Sequence, residues 1–139
     1  MRLTGSGSAG VSLVDESGDE PVFRWVATAG EYARYVNGTM PRDFSPCGTV
    51  LQRGRALVMD KPDRHWAYMS ELLHAPIETV LLVPFARRGK LVGTVWVVRH
   101  EPGHAFTGKD VKTVEELTTF ATAILDAIER NGPAARAAT

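Results

Sequence analysis

Two apolar segments joined by a short turn constrain the fold of this chain more than any other feature of its sequence. Residues 79–86 and 91–98 are almost continuously apolar and rich in β-branched side chains, which favours strands. The turn between them, residues 87–90 (Arg-Arg-Gly-Lys), is short and contains glycine, so the two segments are predicted to pair as an antiparallel hairpin. Because neither strand alternates with polar residues, both are predicted to be central strands covered on their two faces.

A second hairpin is predicted near the start of the chain. Residues 10–15 and 21–27 alternate apolar and polar side chains around a turn of Glu, Ser, Gly and Asp residues. We expect Val11, Leu13, Phe23 and Trp25 to share its buried face.

The middle of the chain carries weaker signals. Residues 30–38 and 49–53 are predicted as short helical segments, 39–48 as a loop and 56–59 as a brief strand. Residues 62–73 are predicted as one helix that places Trp66, Met69 and Leu73 on a single stripe.

The last predicted element is a long amphipathic helix. Thr107 and Asp110 have the spacing of a capping box, and apolar residues recur from Val111 to Ile128 at steps of three and four. Residues 131–133 (Asn-Gly-Pro) are predicted to end the helix. The predicted organisation is a flexible lead-in over residues 1–8, one domain over 9–131 and a disordered tail over 132–139. This order of elements is typical of an α+β fold around an antiparallel sheet.

Composition excludes several classes of function. Sixteen basic residues balance sixteen acidic ones, so the global positive charge expected of a nucleic-acid or anionic-membrane binder is absent. The single cysteine, Cys47, excludes an internal disulfide and a multi-thiolate zinc site. No apolar run is long enough to span a membrane, and the polar, glycine-rich N-terminus does not have the pattern of a secretory signal. A cytoplasmic location is therefore predicted.

Two motifs could indicate a dinucleotide site and a metal site, but their sequence contexts do not fit those functions. Residues 5–10 match G-x-G-x-x-G, but a strand follows them where the dinucleotide fingerprint requires a helix. His100 and His104 are four residues apart, but Pro102 and Gly103 break any helix that would align them. We therefore predict no metal site.

Six segments together resemble the GAF domain family, in their order and spacing over about residues 8–130. They read AGVSL, FRWVATAG, PRDFSPCGTVL, VPF, LVGTVW and FTGKD, at residues 9–13, 23–30, 41–51, 83–85, 91–96 and 106–110. The last one is similar to the family's F-[ST]-x-x-[DE] start of its terminal helix. Residues 42–51 with 62–65 resemble the bacterial GAF domains found beside sensor histidine kinases. The family usually begins with a helix that packs beside the terminal one, whereas here a strand signal comes almost at once.

The resemblance implies a central antiparallel sheet of five or six strands flanked by helices. It also implies a ligand pocket between one sheet face and the connecting helices. Apolar and aromatic side chains concentrated there make up the candidate pocket: Phe44, Cys47, Leu51, His65, Trp66, Met69, Leu73, Pro84 and Trp96. The ligand is not identified, because the sequence lacks the family's cyclic-nucleotide set and a bilin-attaching cysteine in the Trp66 segment, and nothing in it points to haem.

Three functional hypotheses follow. The first is a cytoplasmic, non-catalytic sensory domain that couples an unidentified small molecule to an output such as a histidine kinase. The alternative is a structural dimerisation module with a vestigial pocket. The third is a redox sensor or enzyme built on Cys47, whose position resembles one cysteine of the GAF branch that reduces methionine sulfoxide. This chain has no second thiol to resolve a sulfenic acid, so that cycle cannot close.

A homodimer is also predicted, built on the helix over residues 110–130. Apolar residues at three- and four-residue steps would form its seam: Val114, Leu117, Ala121, Ile124 and Ile128. A second stripe of Phe120, Ala123 and Ala127 is too apolar to face only water.

Overall fold

Six strands form one antiparallel sheet in the computed structural model, which describes residues 7–103 and 105–138. The strands are β1 (Ser8–Asp15), β2 (Val22–Gly30), β3 (Thr39–Pro41), β4 (Leu57–Asp60), β5 (Thr79–Arg87) and β6 (Lys90–Arg99). Their order across the sheet is β3-β2-β1-β6-β5-β4, and every neighbouring pair is antiparallel. The predicted α+β fold is confirmed, with six strands.

Helices lie on both faces of this sheet. They are α1 (Pro46–Arg53), α2 (Pro62–His65), α3 (Tyr68–Leu72) and α4 (Gly108–Ala138), with one 3-10 turn at Ala33–Tyr35. Residues of α1 and α3 pack in the larger core on one face, and Val111 and Val114 of α4 pack in a smaller core on the other. None of the helices in the described ranges is long and apolar enough to cross a membrane.

The predicted central hairpin is confirmed. β5 pairs with β6 through a short turn, and Leu82 lies opposite Trp96. Successive residues alternate between the cores, so Val80 and Leu82 enter the larger one while Leu81 and Val83 enter the smaller one. The continuous apolar sequence therefore serves two cores at once.

The first hairpin forms, but the predicted buried face of β1 is wrong. A bulge between Val11 and Ser12 places Ser12 opposite Trp25, and Val14 opposite Phe23. Val11 and Leu13 consequently lie on the other face of the sheet from Phe23 and Trp25. Small residues occupy the inner face of β1 because large rings from neighbouring segments already fill the space beside it, and a shift of one residue exchanges the two faces.

The middle of the chain differs from the prediction in three places. Residues 39–41, predicted as loop, form β3 at the edge of the sheet. Helix α1 begins three residues earlier than expected, because Ser45 caps it and Pro46 takes its first position. The helix predicted over residues 62–73 is divided into α2 and α3, since the backbone leaves helical geometry at Trp66, whose indole is buried in the larger core.

The start of α4 is the predicted capping box. The Thr107 backbone N–H donates to Asp110 Oδ2 at 2.9 Å, and the Asp110 N–H donates to Thr107 Oγ1 at 3.2 Å. The predicted end at residues 131–133 is wrong, because the helical backbone continues to Ala138 and includes most of the predicted tail. Proline's fixed φ is itself helical, so Pro133 costs the helix a hydrogen bond without ending it.

Residues 1–6 of the predicted lead-in lie outside the described residues, and Ser8 belongs to β1.

Candidate functional site

A small cavity lies between the larger-core face of the sheet and the segment that runs from β3 to β5. Its walls come from β2, β3, β5, β6, α1, α3 and the loops between them: Trp25, Tyr32, Met40, Pro46, Cys47, Met69, Leu73, Ile77, Val80, Leu82, Trp96 and Val98. The volume open to the centre of a water molecule is about 40 Å³. A single water needs roughly 10–15 Å³ by this measure, so the cavity has room for one molecule of a few heavy atoms.

Aromatic rings form the rigid side of the cavity. The Trp25 and Trp96 rings meet edge to face with centroids 6.1 Å apart, and Trp96 Nε1 donates to Ser12 Oγ at 2.9 Å. Gly10 lies directly under the Trp96 ring, since a Cβ added there would sit 2.3 Å from Cζ2. The glycine and the hydrogen bond together fix the indole plane.

Cys47 lies in the first turn of α1 with its thiol directed into the larger core. Ser45 Oγ caps this turn by accepting from the Gly48 N–H at 3.2 Å, and Cys47 Sγ lies 3.1 Å from Thr94 Oγ1. Burial raises the pKa of the Cys47 thiol to about 11, against the weaker opposing effect of hydrogen bonds from Thr94 and Ser12. The thiol is therefore protonated at neutral pH and is a poor nucleophile.

We expect Cys47 to resist alkylation in the folded protein and to be dispensable for folding. Iodoacetamide should label the native protein at pH 8 far more slowly than the urea-unfolded protein, followed by intact mass. Cys47→Ser should change the unfolding free energy by less than about 1.5 kcal/mol, because the two side chains have similar shape. Equal labelling rates in the two states, or methionine sulfoxide reduction that the substitution abolishes, would contradict this interpretation.

The same thiol predicts a loss of stability at alkaline pH. Below the ordinary cysteine pKa of 9.0 the group is protonated in both folded and unfolded states, and its contribution to stability is fully present. As the pH rises toward 11 the unfolded chain loses the proton first, so this contribution is lost. Urea titrations across that window should show a steeper decline for the wild type than for Cys47→Ser.

One side of the cavity is closed by a loop, residues 73–77, that we call the strap. Leu73 and Ile77 of the strap contribute to the cavity wall. The Tyr32 hydroxyl donates to the Ala75 carbonyl, and His100 Nδ1 donates to the Pro76 carbonyl at 2.8 Å. Both bonds attach the strap to elements outside its own segment.

A further tether joins the strap to the 3-10 turn after β2. The His74 N–H donates to the Tyr35 hydroxyl at 2.6 Å, and that hydroxyl lies 2.8 Å from His74 Nδ1. His74 Nε2 lies 3.4 Å from Glu31. Since the Tyr35 oxygen accepts from the backbone, its own proton is free to donate to Nδ1, which leaves Nε2 to carry the imidazole proton toward Glu31.

Four of the residues predicted for the pocket line the cavity: Cys47, Met69, Leu73 and Trp96. Trp66 is 7% exposed and lies in the same core without reaching the cavity wall, and Leu51 packs half-buried against that core. A role for these residues in binding stays a prediction.

The other three predicted pocket residues lie outside the cavity wall. Phe44 is 57% exposed and packs on the Tyr68 ring, whose hydroxyl donates to the Phe44 carbonyl. His65 is exposed beside Trp66. Pro84 lies along a groove between residues 54–56, β5 and α4. These three residues are close in sequence to residues that line the cavity. Closeness in sequence alone does not show whether a side chain points into the cavity.

Sequence reasoning missed the residues that hold the strap. Tyr32, Tyr35 and His100 come from segments far from residues 73–77, and no spacing in the sequence links them. The chain contains three tyrosines and four histidines, and nothing in their spacing indicates which partners they meet. Within the described ranges, no three histidine, cysteine or acidic residues are grouped as metal ligands, and His104 lies outside those ranges.

The chain is similar to known proteins in both sequence and fold. The sequence matches the family model described as GAF domain over residues 1–126. Solved structures with a similar fold include the second GAF domain of DevS from Mycobacterium smegmatis, at a TM-score of 0.71 and 16% identity over 93% of this chain and 88% of that one. The GAF domain of a phosphoenolpyruvate-protein phosphotransferase (ptsP) from Coxiella burnetii gives 0.73 and 18% over 92% and 76%. The PixJ GAF domain of Thermosynechococcus elongatus, in its blue-light absorbing form, gives 0.72 and 14% over 95% and 81%. At these identities the likeness concerns the fold, and no curated protein matches the sequence.

Proposed function

Because the chain belongs to the GAF domain family, whose members are small-molecule sensory domains of signalling proteins, we propose that its cavity is a ligand site and that α4 transmits its occupancy. The observation that carries this proposal is the apolar cavity between the sheet and the strap. Apolar walls on a rigid scaffold are the usual form of a small-molecule pocket.

The hairpin of β5 and β6 lies between the cavity and α4, and could therefore transmit a signal from one to the other. Val80, Leu82, Trp96 and Val98 of β5 and β6 line the cavity, and the alternate residues Leu81, Val83 and Val97 pack in the core of α4. One layer of sheet thus separates a ligand from the helix. A ligand that displaces these strands changes the packing under α4, since close-packed cores transmit strain.

Ion pairs fasten the same hairpin to α4. Arg87 Nε lies 3.3 Å from Asp126 Oδ1, and both Arg87 and Arg88 pair with Glu129. These contacts are partly exposed and contribute modest free energy, so their role is to fix the position of the helix relative to the turn.

The proposal includes a regulatory role without catalysis, a cytoplasmic location and an output such as a histidine kinase. The protonated state of the buried Cys47 thiol supports the absence of nucleophilic chemistry. The resemblance of residues 42–51 and 62–65 to kinase-associated GAF domains supports the output. The DevS and ptsP neighbours are compatible with a role as one domain among others.

Exposed apolar residues on α4 favour a second candidate function, a dimerisation module. Large side chains on one side of the helix are more than two-fifths exposed: Leu117, Phe120, Ile124, Leu125 and Ile128. Val114 of the predicted seam is wrong, because it is buried in the smaller core of its own chain. The remaining members are spaced by four, three and four, which is a heptad seam: Leu117, Ala121, Ile124 and Ile128. We propose that a second copy of the chain covers this seam, in a sensor that is also a homodimer.

Native mass spectrometry of freshly purified protein tests the ligand site. A sensor should carry an added mass of constant value that is lost on denaturation, and its removal should increase amide hydrogen exchange in β5, β6 and α4. Protein that carries no added mass, and whose α4 exchange is unchanged by every small molecule in a broad library, would overturn the sensory proposal. The dimerisation module would then be the remaining candidate.

A further inference from the structure

The character of the cavity wall limits which molecules can occupy it. We propose that the cavity takes an uncharged, apolar molecule of a few heavy atoms, and that it excludes anions and nucleotides. This inference rests on the proposed function of the cavity as a ligand site. It adds the chemical class of the ligand, which neither the family nor the structural neighbours specify.

No side chain of the wall carries a formal charge at neutral pH. Cys47 and Tyr32 are the ionisable residues that contribute to it. Burial raises the pKa of both groups, so each is neutral under physiological conditions. An anion inside the cavity would lose its hydration without gaining a partner of opposite charge.

The polar atoms of the wall are already hydrogen-bonded within the protein. Trp96 Nε1 donates to Ser12, the Tyr32 hydroxyl donates to the Ala75 carbonyl, and Cys47 Sγ lies within hydrogen-bond distance of Thr94 Oγ1. A sugar or a nucleobase would therefore have to break these bonds or leave its own groups unpaired. Water faces the same difficulty, because a buried water normally needs two to four polar partners.

The size of the cavity further restricts the class of ligand that can occupy it. A volume of about 40 Å³ open to the centre of a water molecule is far below the space that a drug-sized ligand occupies. Three sulfur-containing residues, Met40, Cys47 and Met69, belong to the wall. Sulfur is polarisable and methionine is flexible, so this wall can adjust to a small polarisable guest.

The strap and α3 separate the cavity from a cleft on the surface. A surface cleft that includes Asp63, Ser70 and His74 shares Met69, Leu73 and Ile77 with the cavity. Only these three side chains, from α3 and the strap, belong to both. Displacement of the strap would therefore open the cavity without disturbing the sheet.

Xenon is a suitable probe, because dry apolar cavities bind it and it is uncharged and polarisable. We suggest recording methyl spectra of the protein labelled with [methyl-¹³C]methionine under increasing xenon pressure. The Met40 and Met69 methyl resonances should shift and saturate. The Met59 resonance should shift much less, since Met59 packs against the core outside the cavity wall. Nitrate and adenosine monophosphate at millimolar concentration should leave all three unchanged.

Two valine-to-isoleucine substitutions on β6 form a matched pair, in which one variant is the control for the other. Val98→Ile adds a methylene that projects toward the cavity, whereas Val97→Ile adds the same group to the smaller core on the opposite face. The xenon-induced shifts should fall roughly threefold or more in Val98→Ile and stay near wild type in Val97→Ile, provided that both variants retain the native spectrum.

The outcomes separate this inference from the proposed function. Saturable Met40 and Met69 shifts that Val98→Ile reduces support the apolar ligand class. A charged or polar molecule found in the cavity, with no response to xenon, would overturn the ligand class and leave the sensory function intact. No response to xenon together with bare protein in native mass spectrometry would overturn both. Equal loss of the xenon shifts in the two valine variants would show that the binding site is not this cavity.

Discussion

A Gly10→Ala substitution is expected to destabilise the fold by about 3 kcal/mol or more, a large part of the stability of a domain of this size. The added Cβ would lie 2.3 Å from Trp96 Cζ2 and 2.7 Å from the Ala27 carbonyl oxygen. The indole cannot retreat easily, because Trp25 packs against it and Ser12 holds its Nε1. Urea unfolding followed by tryptophan fluorescence should show a lower midpoint, or no cooperative transition.

Gly18→Ala is the matched control for this substitution. Gly18 lies in the turn after β1, and a Cβ added there meets no atom within 4 Å. It should change the unfolding free energy by no more than about 0.5 kcal/mol, as surface substitutions usually do. Wild-type stability in Gly10→Ala would mean that the β1 backbone and Trp96 are not in contact as described, and the rigid wall of the cavity would have to be revised.

A Phe120→Glu substitution is expected to weaken self-association about thirtyfold or more, the effect of losing one strong contact at an interface. Phe120 is 66% exposed and lies beside the heptad seam of α4. A glutamate at that position would place a charge among Leu117, Ile124 and the same residues of a second copy. Sedimentation equilibrium over a micromolar concentration series would measure the change in the dimer dissociation constant.

Thr119→Glu introduces the same charge on the same helix, away from the seam. Thr119 is exposed and lines the groove that α4 forms with β5 and residues 54–56. The dimer should tolerate it within about threefold, as interface neighbours that carry little energy do. A wild-type protein that is monomeric at high micromolar concentration, or a dimer that responds equally to both glutamates, would exclude this face of α4 as the interface.

Local sequence signals predicted the elements whose structure depends on neighbouring residues. The hairpin of β5 and β6 followed from two apolar segments and a turn containing Gly89, and the start of α4 followed from Thr107 and Asp110. Both rely on contacts within a few residues, where the chain itself brings the partners together. The GAF fold could be recognised for the same reason, since the order and spacing of such elements are written along the chain.

The sequence predicted the approximate position of the cavity better than it predicted which residues form the wall. Apolar residues of the Trp66 segment were expected near the sheet, and Met69 and Leu73 do line the cavity. Phe44, His65 and Pro84 have similar apolar or aromatic character, yet they lie outside it. Which way such a side chain points depends on the break at Trp66 and on the paths of the loops, and neither has a periodic signal.

What the sequence determined by itself is therefore the two hairpins, the start of α4, their order along the chain and the two-sided burial of the central strands, because each depends on hydrophobic periodicity and short-range hydrogen bonds. Tertiary structure alone decided the buried face of β1, because the extra residue Val26 in β2 shifts the pairing so that Ser12 lies opposite Trp25. It also decided the closure of the cavity, which depends on Tyr32, Tyr35 and His100 meeting the strap from distant parts of the chain. Such contacts form only when the sheet has assembled, since the order of strands β3-β2-β1-β6-β5-β4 brings these segments together and no pattern along the chain encodes that proximity.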